Sequence, residues 1–190
     1  MKFLKELFNL VLDVFIGVFV GLILIKLVLM PCVVDGRSME PTLQDGQSGF
    51  SFSVAKRIGV DRFDISVIKV NSDNEDKLLV KRVIGLPGET VEYKDNKLFI
   101  NNEYIVEDFL RENTITDDFK IELKDNEYFC LGDNREISRD SRYYGAFTFE
   151  QIKSTGFFVV YPFKDFGVKK WTYNGFLAIC KKPEDKWKNS

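Results

Sequence analysis

The pattern of the chain is one long apolar run followed by short alternation. Phe8 to Val34 is mostly apolar, interrupted by Asp13 and Lys26. The uncharged stretch Val14 to Ile25 is too short to cross a bilayer alone. Extended to 10–30 it reaches roughly 31 Å at 1.5 Å per residue, with Asp13 near one interface and Lys26 snorkelling at the other. Lys26 within the run and the lack of an Ala-x-Ala site argue against a cleaved leader and for a retained anchor. Lys2 and Lys5 place residues 1–9 in the cytoplasm and the rest on the extracytoplasmic face of the cell membrane, single-pass, although Arg37 on the far side weakens that bias.

Beyond the anchor the period becomes two. Phe50, Phe52, Val54, then Ile65, Val67, Ile68 and Val70 read as strands. Asn71 to Lys77 reads as a polar loop, and Leu78 to Ile84 as a buried strand ending in the turn Gly85-Leu86-Pro87-Gly88. Val91 to Lys124 alternates between Asn- and Asp-rich turns, as hairpins do. Tyr128 to Leu131 and Ile152 to Pro162 are further strands, and an aromatic, then charged, tail follows. The expected divisions are 31–91 with 129–182 as the main β domain, 92–128 as a β insertion, and 183–190 as a polar tail.

Composition narrows the chemistry. With 45% hydrophobic residues and 18 phenylalanines, the chain's 190 residues can build a real core. A net charge of −2 gives no nucleic-acid footprint. There is no histidine, which excludes Ser-His-Asp and Cys-His mechanisms and every imidazole metal site; a serine nucleophile would need another base, and lysine is the alternative. Three cysteines without CxxC spacing form no zinc site; Cys130 and Cys180 could pair outside the cytoplasm, but the odd count favours three small buried thiols. No cofactor or metal is expected.

Three polar stretches stand out. Ser38 sits between Gly36, which permits a sharp turn, and Pro41, which fixes the exit direction; such a serine is either a presented nucleophile or an ordinary turn residue. Lys81 and Arg82 are adjacent on a strand, so period two sends Lys81 to the face of Leu79 and Val83, and Arg82 to that of Val80 and Ile84. They could equally be two solvated edge charges. Gly132 to Gly145 packs Asp, Asn, Ser and Arg too densely for a strand; it is a structural loop or a polar scaffold under a site.

The anchor, Ser38-Met39-Glu40-Pro41-Thr42, Lys81-Arg82-Val83-Ile84-Gly85-Leu86-Pro87-Gly88-Glu89 and Gly132-Asp133-Asn134-Arg135 through Ser138, Asp140, Ser141 and Arg142 occur in one order. In that order they resemble the bacterial type I signal peptidases, membrane-bound Ser-Lys endopeptidases, and among them the Gram-positive branch. The resemblance runs from the anchor to about Pro162. It implies a mainly β fold: a coiled antiparallel β-sheet catalytic domain with a small β insertion, preceded by one transmembrane helix. It implies Ser38 as nucleophile, Lys81 as general base and Ser138 as the hydroxyl that orients the base. Asp133, Asp140 and Arg142 resemble the family's structural ion-pair network, and Met39 the residue packed beside the nucleophile. Gly36 stands where some members carry an oxyanion serine, which leaves that role to backbone N–H groups around Gly36 and Ser38, chiefly that of Ser38.

The implied chemistry is demanding. At an ordinary pKa of about 10.4 a lysine is neutral only about once in 2,500 molecules at pH 7, so Lys81 must be desolvated by Leu79, Val80, Val83 and Ile84, with Arg82 adding repulsion if close. Val34, Met39, Leu43, Leu79 and Val80 are the expected lining of shallow pockets for small residues. The implied partners are the signal peptides of secreted preproteins, cut at Ala-x-Ala-like sites, together with membrane lipid and the protein translocation machinery. The competing readings are an inactive membrane-tethered assembly chaperone of the same fold, a client-restricted enzyme serving a surface-fibre locus, and a related Ser-Lys protease that self-cleaves a regulator.

Overall fold

Helix α1 occupies Lys2–Val28 in the computed structural model, which describes residues 2–72 and 75–169. Cys180, the tail aromatics Trp171, Tyr173 and Phe176, and the polar tail 183–190 lie outside the described residues. The described apolar side chains of α1, from Leu7 to Val28, are exposed, and none of its Lys5–Val28 span is covered by the rest of the described residues. That span is roughly 36 Å long, enough for a bilayer core of about 30 Å. The helix stops two residues short of the expected Met30. Met30 precedes Pro31, which biases it to extended backbone, and Leu29 and Met30 pair instead with Phe52 and Ser51. Pro31 is tolerated because its strand, β1 (Leu29–Val33), is the edge of its sheet.

The chain continues through β2 (Ser48–Phe52), a one-turn helix α2 (Ala55–Ile58), β3 (Ile65–Ser72) and β4 (Glu75–Gly85). A second sheet is made by β5 (Thr90–Lys94), β6 (Lys97–Ile100), β7 (Glu103–Ile105) and β8 (Phe119–Glu122). Then come β9 (Glu127–Leu131), a one-turn helix α3 (Ser141–Tyr144), β10 (Phe147–Thr148), β11 (Ile152–Tyr161) and β12 (Gly167–Val168). All pairings are antiparallel: the first sheet is ordered β1-β2-β11-β3-β4-β9-β10 with β12 also on β11, and the second β7-β6-β5-β8.

Two stretches depart from the sequence reading. Val54 opens α2 rather than continuing a strand. Asn71 to Lys77 is mostly strand: β3 and β4 stay in register to Ser72 opposite Glu75, helped by a Lys69–Asp76 ion pair at 2.6 Å. Cross-strand pairing, invisible to alternation, carries the hairpin past its apolar part.

β4 positions the site. Its N-terminal half pairs only with β3, whereas from Arg82 onward it also pairs with β9, with a bulge between Val83 and Gly85. Core side chains separate accordingly. Val34, Met39, Leu43, Ile65, Phe157 and Val159 pack under the turn after β1. Ile68, Val70, Val83, Cys130 and Ile152 form a second cluster, and Ile84, Leu131 and Phe129 join β5 and β6 in a third.

Candidate active site

Ser38 is held up by what lies beneath it. Met39 and Leu43 are fully buried, so the turn is pinned from below while Ser38 stays half-exposed. Gly36 has φ +90°, a conformation that favours glycine, and its N–H donates to Asp45 Oδ1 at 2.8 Å. The loop is closed by Val34 N–H to the Gln47 carbonyl and Gly46 N–H to the Val34 carbonyl, at 2.8 and 2.9 Å. The Ser38 N–H meets no acceptor among the described residues.

Lys81 lies on β4 opposite Ser66 and is 3% exposed. Its Nζ donates to Ser38 Oγ at 2.7 Å and to the Val80 carbonyl at 3.0 Å. Burial brings its pKa down to about 8, against the opposing pull of the Asp140 and Asp133 carboxylates. The cation that adds to the lowering is Arg142, whereas Arg82 is engaged elsewhere. It points to the other face, where Nε and Nη2 clasp Asp133 at 2.8 and 2.6 Å, Nη1 donates to the Phe63 carbonyl at 2.9 Å, and the guanidinium lies 4.1 Å from the Phe109 ring centre.

The loop 132–142 wraps the Ser38 turn. Asn134 N–H donates to the Ser38 carbonyl at 3.0 Å, and Asn134 Nδ2 to the Arg37 carbonyl at 3.2 Å. A Cβ on Gly132 would collide with Ser138 Oγ and lie 2.5 Å from the Ser38 carbonyl, so only glycine lets the two loops meet. Asp140 caps α3 and accepts from Arg142 Nε and Nη2 at 2.9 and 2.8 Å and from Gly132 N–H at 3.0 Å. Burial opposes its ionisation, but the Arg142 guanidinium holds the carboxyl below its ordinary range. The expected network is therefore two separate pairs, Arg82–Asp133 and Arg142–Asp140, one on each side of the loop.

Several expectations change in detail. Ser138 Oγ is buried beside the Ser38 carbonyl and faces the Asp140 carboxylate, and Lys81 bonds Ser38 and the Val80 carbonyl rather than Ser138 in this arrangement. The Gly36 N–H is occupied by Asp45 and is not available to an oxyanion. Val34, Met39 and Leu43 are core rather than pocket surface. Leu79 and Val80 pack on different clusters, as successive strand residues must, and cannot line one pocket. Cys32, half-buried on β1, packs over the same cluster as Val80.

Arg135 was missed as a functional element, although it stands within the loop motif. It is buried, donates to the Gly132 carbonyl at 3.0 Å, pairs with Glu107 at 2.6 Å and bonds the Tyr93 hydroxyl. It ties the loop under Ser38 to the second sheet. Its isolated position in a polar loop carried no signal of burial.

The family model described as signal peptidase, peptidase S26, matches residues 7–161, a span that holds Ser38, Lys81 and the whole of the loop 132–142. The chain belongs to this family. Signal peptidase I S of Bacillus subtilis (strain 168) is 42% identical over 79% of this chain and 86% of its own length. Signal peptidase IB of Staphylococcus aureus (strain MRSA252) is 31% identical over 90% of this chain and 96% of its own. A solved signal peptidase I chain from Enterococcus faecalis is 36% identical, covers 50% of this chain and 94% of that one, and superposes with a TM-score of 0.44.

Proposed function

We propose that this member of the signal peptidase family is a membrane-anchored serine endopeptidase that removes signal peptides from translocated preproteins with Ser38 as nucleophile and Lys81 as general base. The observation that carries the reading is the 2.7 Å contact between Ser38 Oγ and a lysine that is buried and away from any carboxylate partner at hydrogen-bond distance. At a pKa of about 8, Lys81 is neutral in roughly one molecule in ten at pH 7, so deprotonation costs about 3 kcal/mol less than for an ordinary lysine.

Neutral Lys81 takes the Ser38 proton as Oγ attacks the scissile carbonyl, then returns it to the leaving amine. The Ser38 N–H is the donor to the developing oxyanion, a contribution of roughly 3 kcal/mol. Gly36 serves by shaping the turn. Once Ser38 Oγ is acylated it is a poor acceptor, and Lys81, still held by the Val80 carbonyl, activates the water that releases the acyl group, with Ser138 in the orienting role that the family resemblance gives it.

The substrate enters as an added strand between the outer edge of β1 and the Leu78–Val80 edge of β4, which no other strand covers among the described residues. Cys32 and Val80 pack on one cluster beneath that gap, and the alanines at the first and third positions before the cut lie over them. α1 lies in lipid with Lys2 and Lys5 on the cytoplasmic side, and the site sits just outside the membrane, where the translocation machinery delivers preproteins.

Cleavage of an Ala-x-Ala preprotein in detergent, by wild type, Ser38→Ala, Lys81→Ala and Lys81→Arg across pH 6 to 10, tests the assignment. Loss in all three variants is expected. A Lys81→Arg variant that still cuts would remove lysine as the base, because arginine keeps the charge but does not deprotonate. A wild type that cuts nothing would favour the chaperone reading.

A further inference from the structure

An endopeptidase holds polypeptide on both sides of the bond it cuts, and the proposed strand addition between β1 and β4 assigns a place to the acyl side alone. β1 leaves α1 and runs toward Ser38; in the order β1-β2-β11-β3-β4, with every pairing antiparallel, β4 runs in the same sense. Past Lys81, β4 leads through Gly85 into the second sheet. The second sheet therefore lies beyond the site, at the end of the gap away from α1.

Two cavities fill that region. The smaller, about 90 Å³, is bounded by Glu40 of the nucleophile turn and Asn134 of the loop that clamps the Ser38 carbonyl. The larger, about 220 Å³, runs under the 106–116 segment to Tyr104 and Ile105 of β7. They share Arg111, Asn113 and Thr114 as a common wall. Arg111 reaches back to Glu40 at 2.7 Å, so the wall is fastened to the nucleophile turn. β7 is the outer strand of its sheet, paired with β6 alone, and Tyr104 is exposed beside it.

Taking Ser38 and Lys81 as the endopeptidase dyad, on which the assignment depends, we propose that these two cavities form one exit groove, which binds the mature, leaving-side segment of the preprotein in extended form. Arg111, Asn113 and Thr114 hold the positions nearer the cut, and the β7 edge with Tyr104 holds those further on. The chemistry suits a polar polypeptide of varied sequence. A strand edge offers backbone hydrogen bonds, amide and hydroxyl groups adapt to either donor or acceptor, and charges of both signs line the two cavities, Arg111 with Glu40 and Arg135 with Glu107 as pairs. The consequence is a preference for preproteins over short peptides that share the same signal sequence and cleavage site.

The test uses the full chain in detergent and two substrates identical up to the cut, one ending about 3 residues beyond it and one about 30 residues beyond, long enough to cross the groove at roughly 3.3 Å per residue. Wild type should cut the long substrate with the higher kcat/KM. Thr114→Val and Tyr104→Ala should each lower kcat/KM for the long substrate by about tenfold, mostly through KM, and leave the short one unchanged. Thermal melts of both variants check that the fold is retained. Equal losses on both substrates, or none on either, would overturn the groove while leaving the Ser38–Lys81 chemistry standing. A wild type that cuts neither would overturn the proposed function itself.

Discussion

Arg82 and Asp133 form a bidentate ion pair with no exposed side-chain surface, next in sequence to Lys81 on one strand and at the head of the loop that holds the Ser38 carbonyl. Burying such a pair is costly in itself, but removing one partner leaves an uncompensated charge in the core. Arg82→Met should destabilise the folded chain by about 3–5 kcal/mol, read as a loss of urea midpoint. Arg82→Met with Asp133→Leu should recover much of that loss, because no charge is stranded. A double variant no more stable than the single would show that the pair is held chiefly by its bonds to Thr42 and the Phe63 carbonyl.

Lys81 should trade stability for catalysis. In the folded chain it loses its proton at about 8, against an ordinary 10.5 when unfolded. Between those values the unfolded state binds more protons, so stability rises with pH across that window, and below pH 8 the penalty of roughly 3 kcal/mol is fully present. Lys81→Met, similar in shape and uncharged, should raise the melting temperature at pH 7 and abolish cleavage. In wild type, log kcat/KM should climb with unit slope up to about pH 8 and level off above it. An unchanged melting temperature in Lys81→Met would mean that the ammonium is better solvated than its burial implies.

The same two residues mark how far the sequence could be read. Period two on β4 was enough to send Lys81 and Arg82 to opposite faces, and local turn chemistry was enough to present Ser38. The partner of Arg82 was not legible, since Asp133 arrives from a distant loop through a β4–β9 pairing that no local pattern encodes. Asp140 and Arg142, two residues apart, were close enough for their association to be expected. Pocket lining was misjudged for the opposite reason: Val34, Met39 and Leu43 are apolar and near Ser38, but an apolar residue in a turn can face the core as readily as a groove. The β3–β4 hairpin was read short because its polar tip is paired by register rather than by hydrophobicity.

Gly132 should be intolerant of any side chain. Its place against Ser138 and the Ser38 carbonyl leaves no room for a Cβ, and both neighbours are fixed, one by burial and one by the Asn134 N–H. Gly132→Ala should lower kcat by about a hundredfold or more, since displacement of a reacting group by about 1 Å is enough for that. The melting temperature should fall far less than in Arg82→Met. Full activity in Gly132→Ala would mean that the loop 132–142 can retreat from Ser38 without consequence.

Asp140 sets the acid limit of the site. Its carboxyl is buried, and Arg142 with the Gly132 N–H holds it below the ordinary carboxylate range of 3.8. A depressed folded pKa contributes stability that is complete above the unfolded value and is lost as pH falls through the folded one. Arg142→Met removes the largest contributions to that depression and leaves the Gly132 N–H and the Ser138 hydroxyl against desolvation, so the folded pKa of Asp140 should rise. The variant should therefore unfold at a higher pH than wild type on acid titration, with the difference between them greatest at neutral pH and closing as Asp140 takes up its proton. Because Asp140 also caps α3 and fixes the Gly132 amide, cleavage should weaken in the variant over the same range in which circular dichroism still reports a folded chain. Coincident loss of fold and activity at every pH would assign Arg142 to stability alone.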